Sequence, residues 1–181
     1  MNYVRLLANG VAFIYVDFAD LTGKDMHRFR FLVDTGATST TIPKPYLVEK
    51  LGYSEDYITK NKVVLTDKQK PTMANGERAD VYKVPITRMN IGGYEFQHDH
   101  ILTSDTVNLS FLLGLDVLQY FKFTYDFDSV DPASPYGKMI YELRETKKKA
   151  YTKFGESFAH SLLNEKRENT PSTTFQKPSK K

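Results

Sequence analysis

Cysteine and tryptophan are both absent from the 181 residues. The first absence excludes disulfides and thiolate metal sites and fits a reducing compartment. Long apolar runs are missing too, and none approaches the roughly 18 residues that a membrane-spanning helix needs. The opening stretch MNYVRLLANGVAFIYVDF has a short, interrupted apolar part. It alternates as a strand does rather than forming the continuous core of a secretion signal. The expectation is a cytoplasmic chain with no membrane contact.

What is present is enough apolar material for a core. Hydrophobic residues make up 40% of the chain, with 12 Phe and 12 Tyr, in a length that suits one domain plus an extension. Charge is uneven. From Glu145 onward nine basic and four acidic residues give +5, so residues 1–144 carry −2 within a total of +3. The expected organisation is therefore a folded body over 1–144 and a basic tail over 145–181. Within the tail, Tyr151, Phe154, Phe158, Leu162 and Leu163 recur near helical spacing and predict a short amphipathic helix over 150–166. The closing NTPSTTFQKPSKK has the composition of a disordered terminus. A basic tail raises the question of nucleic acid, but a solvated end is the simpler reading. The aromatics Tyr94, Phe96, Tyr120, Phe121, Phe123, Tyr125 and Phe127 lack the interleaved basic residues of a single-strand binder. No nucleic-acid partner is expected.

The body reads as mostly β. VAFIYVDF and HRFRFLVD are strands joined by the turn material LTGKD, and STTIP is a short third strand. PKPYLVEKLG is helical, with Pro near its start and Gly52 as its stop. Lys62–Thr66 is a further strand. Asn75-Gly76 is the strongest hairpin signal in the chain, with arms over Thr72–Ala74 and Arg78–Lys83 too polar to be core, so this hairpin should project. ITRMNI and YEFQHDHIL form another hairpin around Gly92-Gly93. SFLLG is a short apolar strand, LDVLQYF a short helix, and KFTYDF and KMIYEL close the body.

Two stretches carry chemistry: FLVDTGATSTTIP, from Phe31 to Pro43, and FLLGLD, from Phe111 to Asp116. In each, an apolar strand stops at a Gly-containing turn. A strand that ends on a carboxylate, Asp34, is costly unless the charge is compensated. Gly36 allows a sharp turn that brings a backbone N–H to the carboxylate. A second carboxylate about 3 Å away, sharing one proton, would complete the compensation and create an acid and a base side by side. One takes a proton from water as it attacks a carbonyl, and the other supplies a proton to the carbonyl oxygen.

The run Phe31-Leu32-Val33-Asp34-Thr35-Gly36-Ala37-Thr38-Ser39 resembles the active-site loop of the retropepsin-like aspartic proteases. Phe111-Leu112-Leu113-Gly114, followed by a short helix, is similar to that family's second signature, and the hairpin over Thr72–Arg78 falls where the family places its flap. The resemblance covers about residues 8–144. It implies a closed, barrel-like acid-protease domain with a short helix after the Leu-Leu-Gly strand. It further implies that Asp34 is the catalytic aspartate, that the Thr35 hydroxyl bonds across to a partner loop, and that the Gly36 N–H faces the carboxylate. Ala37, Met73, Ala74, Asn75, Gly76 and Leu112 match positions that meet substrate. Leu113 and Gly114 match positions that support the site. Ala37 stands where cellular pepsins carry Ser or Thr, and the flap lacks the Gly-rich tip of viral relatives.

A second Asp-Thr-Gly is missing from the sequence. Asp105-Thr106-Val107 lacks the Gly, and Asp116 falls in the short helix. The two-lobed pepsins need a chain nearly twice as long, so a C2 homodimer with one Asp34 from each copy is expected. The partners are then a second copy and a peptide or protein substrate, with no cofactor. A rival reading, the phosphate loop of actin-like or sugar kinases, fails on size. His98 and His100 would share one strand face, but a third ligand is missing, so no metal is expected. The alternative of a different class is an inactive or latent dimeric peptide-binding module of the same fold.

Overall fold

The computed structural model describes residues 2–73, 75–96 and 99–145. The chain divides into two units, Met1–Arg144 and Glu145–Lys181, and the first is the body described below. Four expectations fall outside the described residues: the helix over 150–166, the disordered end after it, and the placements of Ala74 and His98.

In chain order the elements are β1 (Asn2–Arg5), β2 (Phe13–Ala19), β3 (Met26–Val33), α1 (Lys44–Glu49), α2 (Glu55–Asn61), β4 (Val63–Val64), β5 (Tyr82–Pro85), β6 (Met89–Ile91), β7 (Tyr94–Phe96), β8 (His100–Thr103), β9 (Leu112–Leu113), α3 (Leu115–Leu118), β10 (Phe121–Asp126) and β11 (Lys138–Leu143). The domain is mostly β, as the alternation predicts. Strand order is β7-β6-β2-β3-β9 in one sheet, β4-β5-β8 in a second and β1-β11-β10 in a third.

β2 and β3 form the expected hairpin, in register from Phe13↔Leu32 to Ala19↔Met26. Its inward residues Ile14, Val16, Phe18, Phe29 and Phe31 belong to the main core, with Leu47, Met89, Ile91, Leu113, Val117, Phe121 and Met139. Each such side chain contributes about 1.5–3 kcal/mol on burial. An aromatic knot fixes the strand that precedes the Leu-Leu-Gly turn. The Phe111 ring lies 5.4 Å from Phe29, 5.3 Å from Phe31 and 4.8 Å from Tyr46.

The structure departs from the sequence reading in five places. STTIP is no strand: only Thr41 makes bridges, to Leu102 and Leu112. YEFQHDHIL is not one arm. β7 pairs with β6 while β8 pairs with β5, so this stretch serves two different sheets. Lys62–Thr66 contracts to the two-residue β4. The Asn75-Gly76 hairpin is a tight turn held by the single bridge Thr72↔Arg78, not a pair of long arms. Its described residues, 72–73 and 75–78, are exposed, as a projecting element requires. Finally, α2 and β1 are additional. The α2 signal was present in Ser54, whose hydroxyl caps the helix by accepting from Tyr57 N–H at 3.1 Å, with Glu55 and Asp56 in the first turn. β1 pairs antiparallel with β11, from Asn2↔Tyr141 to Arg5↔Lys138.

Candidate active site

The site begins with a strand insertion. β9 runs parallel to β3, in register Leu32↔Leu112 and Val33↔Leu113, and Leu112 bridges antiparallel to Thr41 on its other side. The chain therefore leaves β3 at Asp34, loops over β9 and returns beside it at Thr41. The hydrogen bonds follow this path. Leu32 N–H donates to Phe111 C=O at 2.9 Å, Asp34 N–H to Leu113 C=O at 3.1 Å and Thr41 N–H to Leu112 C=O at 2.9 Å. The carboxylate-bearing residue is thus anchored by its own backbone to the Leu-Leu-Gly strand.

The Asp34 side chain is half-buried, and Thr35 and Gly36 beside it are exposed. Gly36 N–H donates to Asp34 Oδ1 at 2.8 Å, and Ala37 N–H closes the turn on Asp34 C=O at 3.2 Å. A Cβ on Gly36 would lie 3.2 Å from Asp34 Oδ1, so glycine gives the carboxylate room at its donor.

The far side of the loop is tied to α3. Ala37 and Thr38 carbonyls accept from Leu115 N–H at 2.9 Å and Asp116 N–H at 3.2 Å. Thr40 is fully buried. Its hydroxyl donates to Asp116 Oδ1 at 2.8 Å and accepts from Gly114 N–H at 3.2 Å, while its N–H reaches both Asp116 oxygens at 3.0 Å. Asp116 Oδ1 also accepts from Val117 N–H at 2.9 Å. The sequence marks Asp116 only as an acid in the short helix, and Thr40 was missed. Its signal was a Thr in a polar run that must cross the core.

The structure thus brings Asp34, Gly36, Ala37, Leu112, Leu113 and Gly114 into one unit. Leu113 and Gly114 are buried and Leu112 is half-buried. The turn carrying Met73, Asn75 and Gly76 is separate. Met73 N–H donates to Glu77 C=O at 2.8 Å, and Gly76 N–H to Met73 C=O at 2.9 Å. No hydrogen bond joins it to the Asp34 loop among the described residues. The two other acids considered for the chemistry are engaged elsewhere, Asp116 in the loop tether and Asp105 with Lys44 and Tyr82. Among the described residues no cluster of three His, Asp or Glu could hold a metal ion, and no helix is long and apolar enough to cross a membrane. His100 lies half-buried in β8.

A search of curated proteins returns no match. Among solved structures, the chain is similar to a retropepsin-like aspartic protease from Rickettsia conorii, at 17% identity and a TM-score of 0.47, over 79% of this chain and 91% of that one. Residues 23–120, which contain both the Asp34 loop and the Leu-Leu-Gly strand, match the family described as "gag-polyprotein putative aspartyl protease". With more than half its length matched, the chain belongs to that family of aspartyl proteases.

Proposed function

We propose that the chain is an aspartic endopeptidase that works as a C2 homodimer, with Asp34 of each copy meeting on the symmetry axis. The observation that carries this reading is the Asp34 loop itself. It is built to hold a carboxylate, is braced from behind by β9 and α3, and exposes Thr35 and Gly36 on its open side. One such loop per body is half of a proton-sharing pair, and a second copy supplies the other half. Thr35 would bond across the axis. Two carboxylates a few ångströms apart hold one proton between them. The ionised one takes a proton from water, whose oxygen attacks the peptide carbonyl carbon. The protonated one gives its proton to the carbonyl oxygen. Transfer of a proton to the amide nitrogen then lets the C–N bond break. Substrate would lie as an extended strand between the turn at Met73, Ala74, Asn75 and Gly76 and a floor that includes Ala37 and Leu112.

Cleavage of a mixed peptide library at pH values of about 4 to 7, with sedimentation of the same samples, tests this reading. The expected result is hydrolysis by a dimer, lost by at least about a thousandfold in Asp34→Asn while the fold and the dimer persist. A dimer that binds peptides and cleaves none would replace the protease reading with the peptide-binding module.

A further inference from the structure

Asp105 sits in the segment between β8 and β9 and has no part in the hydrolysis just described. Its Oδ1 accepts from Lys44 Nζ at 2.5 Å and from Tyr82 O–H at 2.8 Å, and its Oδ2 lies 3.8 Å from Lys62 Nζ. Lys44 Nζ is in turn 2.7 Å from Glu55 Oε2, and Lys62 Nζ stands 4.8 Å over the Tyr82 ring. One carboxylate therefore gathers groups from three places in the chain.

Those places are informative. Lys44 opens α1, directly after the loop that carries Asp34. Tyr82 opens β5, which the Thr72–Arg78 turn feeds, and it is buried at 6% exposure. The stem between turn and strand rests on little apolar packing. Leu65, Ala79, Val81 and Leu102, with Leu109 against them, form a small cluster apart from the main core. Between α1 and residues 104–109 lies a groove of about 480 Å³, lined by Pro43, Lys44, Val48, Asp105 and Leu109 among others. Tyr82 itself packs in the main core and pairs with Val64 and Thr103, so the bonds to Asp105 add a polar tie from this end of the stem to Lys44 at the edge of the groove.

The geometry points to Asp105 as a positioning residue: it pins the stem of the Thr72–Arg78 turn to the helix that follows the Asp34 loop. The inference rests on the proposed function, in which that turn closes over substrate. A stem fixed at Tyr82 gives the turn a defined pivot, so less order must be gained when substrate binds. A turn released from that pivot samples more open positions, and the loss falls on substrate capture rather than on the carboxylate chemistry. The charge states fit. The bond from Lys44 holds the Asp105 carboxyl below its usual range. Burial, with the bond to Asp105, pushes the Tyr82 phenol up. In mild acid the acceptor stays ionised and the donor stays protonated.

The test compares full-length wild type, Asp105→Asn, Asp105→Glu and Tyr82→Phe by hydrogen exchange and by peptide hydrolysis. Exchange over residues 72–81 should rise about fivefold or more in Asp105→Asn and Tyr82→Phe, while the β2–β3 hairpin keeps its wild-type rates. KM should rise about three- to tenfold, a range reduced for the partial exposure of Asp105. kcat and its pH profile should stay within about twofold. Asp105→Glu, which keeps the charge, should recover most of both effects. Unchanged exchange over 72–81 would overturn the proposal. So would equal acceleration throughout the body, or a loss in kcat with a displaced pH profile. If wild type cleaves nothing, the protease reading fails, and the exchange experiment alone still decides whether Asp105 pins the stem.

Discussion

Gly114 lies against the backbone of Ser39 so closely that a Cβ at position 114 would sit 2.5 Å from the Ser39 carbonyl carbon, 2.6 Å from its oxygen and 2.8 Å from its nitrogen. The backbone of Gly114 is ordinary, with φ −92°, so glycine is required here for space and not for a left-handed turn. The loop from Asp34 can cross α3 only because this residue has no side chain.

Gly114→Ala should accordingly push Ser39 and the Asp34 loop away from α3. The expected cost is about 1–3 kcal/mol, the range for forced overpacking, read as a fall in the urea midpoint. If the loop carries the catalysis, peptide hydrolysis should fall further than stability does. A variant with wild-type stability and activity would show that the loop has slack.

Thr40 and Asp116 should behave as one unit. Thr40→Val keeps the shape but removes the acceptor of Gly114 N–H and a donor to Asp116, for a loss of about 1–3 kcal/mol. Asp116→Ala strips the acceptor from Thr40 N–H and Val117 N–H, and a loss of about 2–3 kcal/mol is expected from bonds to a charged group. The double variant should cost less than the two losses combined, because they share a bond. Urea unfolding of the three proteins measures the coupling, and strict additivity would contradict it.

Acid should destabilise the body through a defined set of carboxylates. The bond from Lys44 lowers Asp105, Ser129 lowers Asp126 and Lys138 lowers Asp131. A carboxylate with a depressed folded pKa binds fewer protons folded than unfolded in that window. Its contribution is complete above the unfolded value of about 3.9 and disappears as pH falls through the folded one. The urea midpoint, followed by circular dichroism, should be level from about pH 7 to 5 and fall below about 4. Asp105→Asn should make that fall shallower. An equally steep fall would place the acid-sensitive groups elsewhere.

Much of this site was legible in the sequence because its demands are local. A carboxylate at the end of an apolar strand, with Gly two residues on, specifies the turn and its N–H donor. Two leucines before a Gly specify a short apolar strand that stops at a turn, whereas the lack of space beside Gly114 is set by the distant Ser39 backbone. What escaped was set by distant partners. Thr41 looks like part of a strand, but it is the one residue of STTIP that bridges, to Leu102 on one side and Leu112 on the other, where the sequence suggested a run. The segment after Tyr94 reads as one arm because periodicity does not say which sheet a strand joins. Asp105 reads as an imperfect second catalytic motif. Only the fold shows that Lys44 and Tyr82, far apart in sequence, have claimed its charge.

The pairing of β1 with β11 has a consequence for when the domain can work. Asn2 has no strand partner until Tyr141 exists, and Leu32 none on its β9 side until Leu112 does. Contacts of such sequence separation form late and slowly. A ribosome emitting this chain would release its Asp34 loop long before the strand that braces it. The topology thus acts as a timer, withholding the brace of the Asp34 loop from the growing polypeptide until Leu112 and Leu113 have been made.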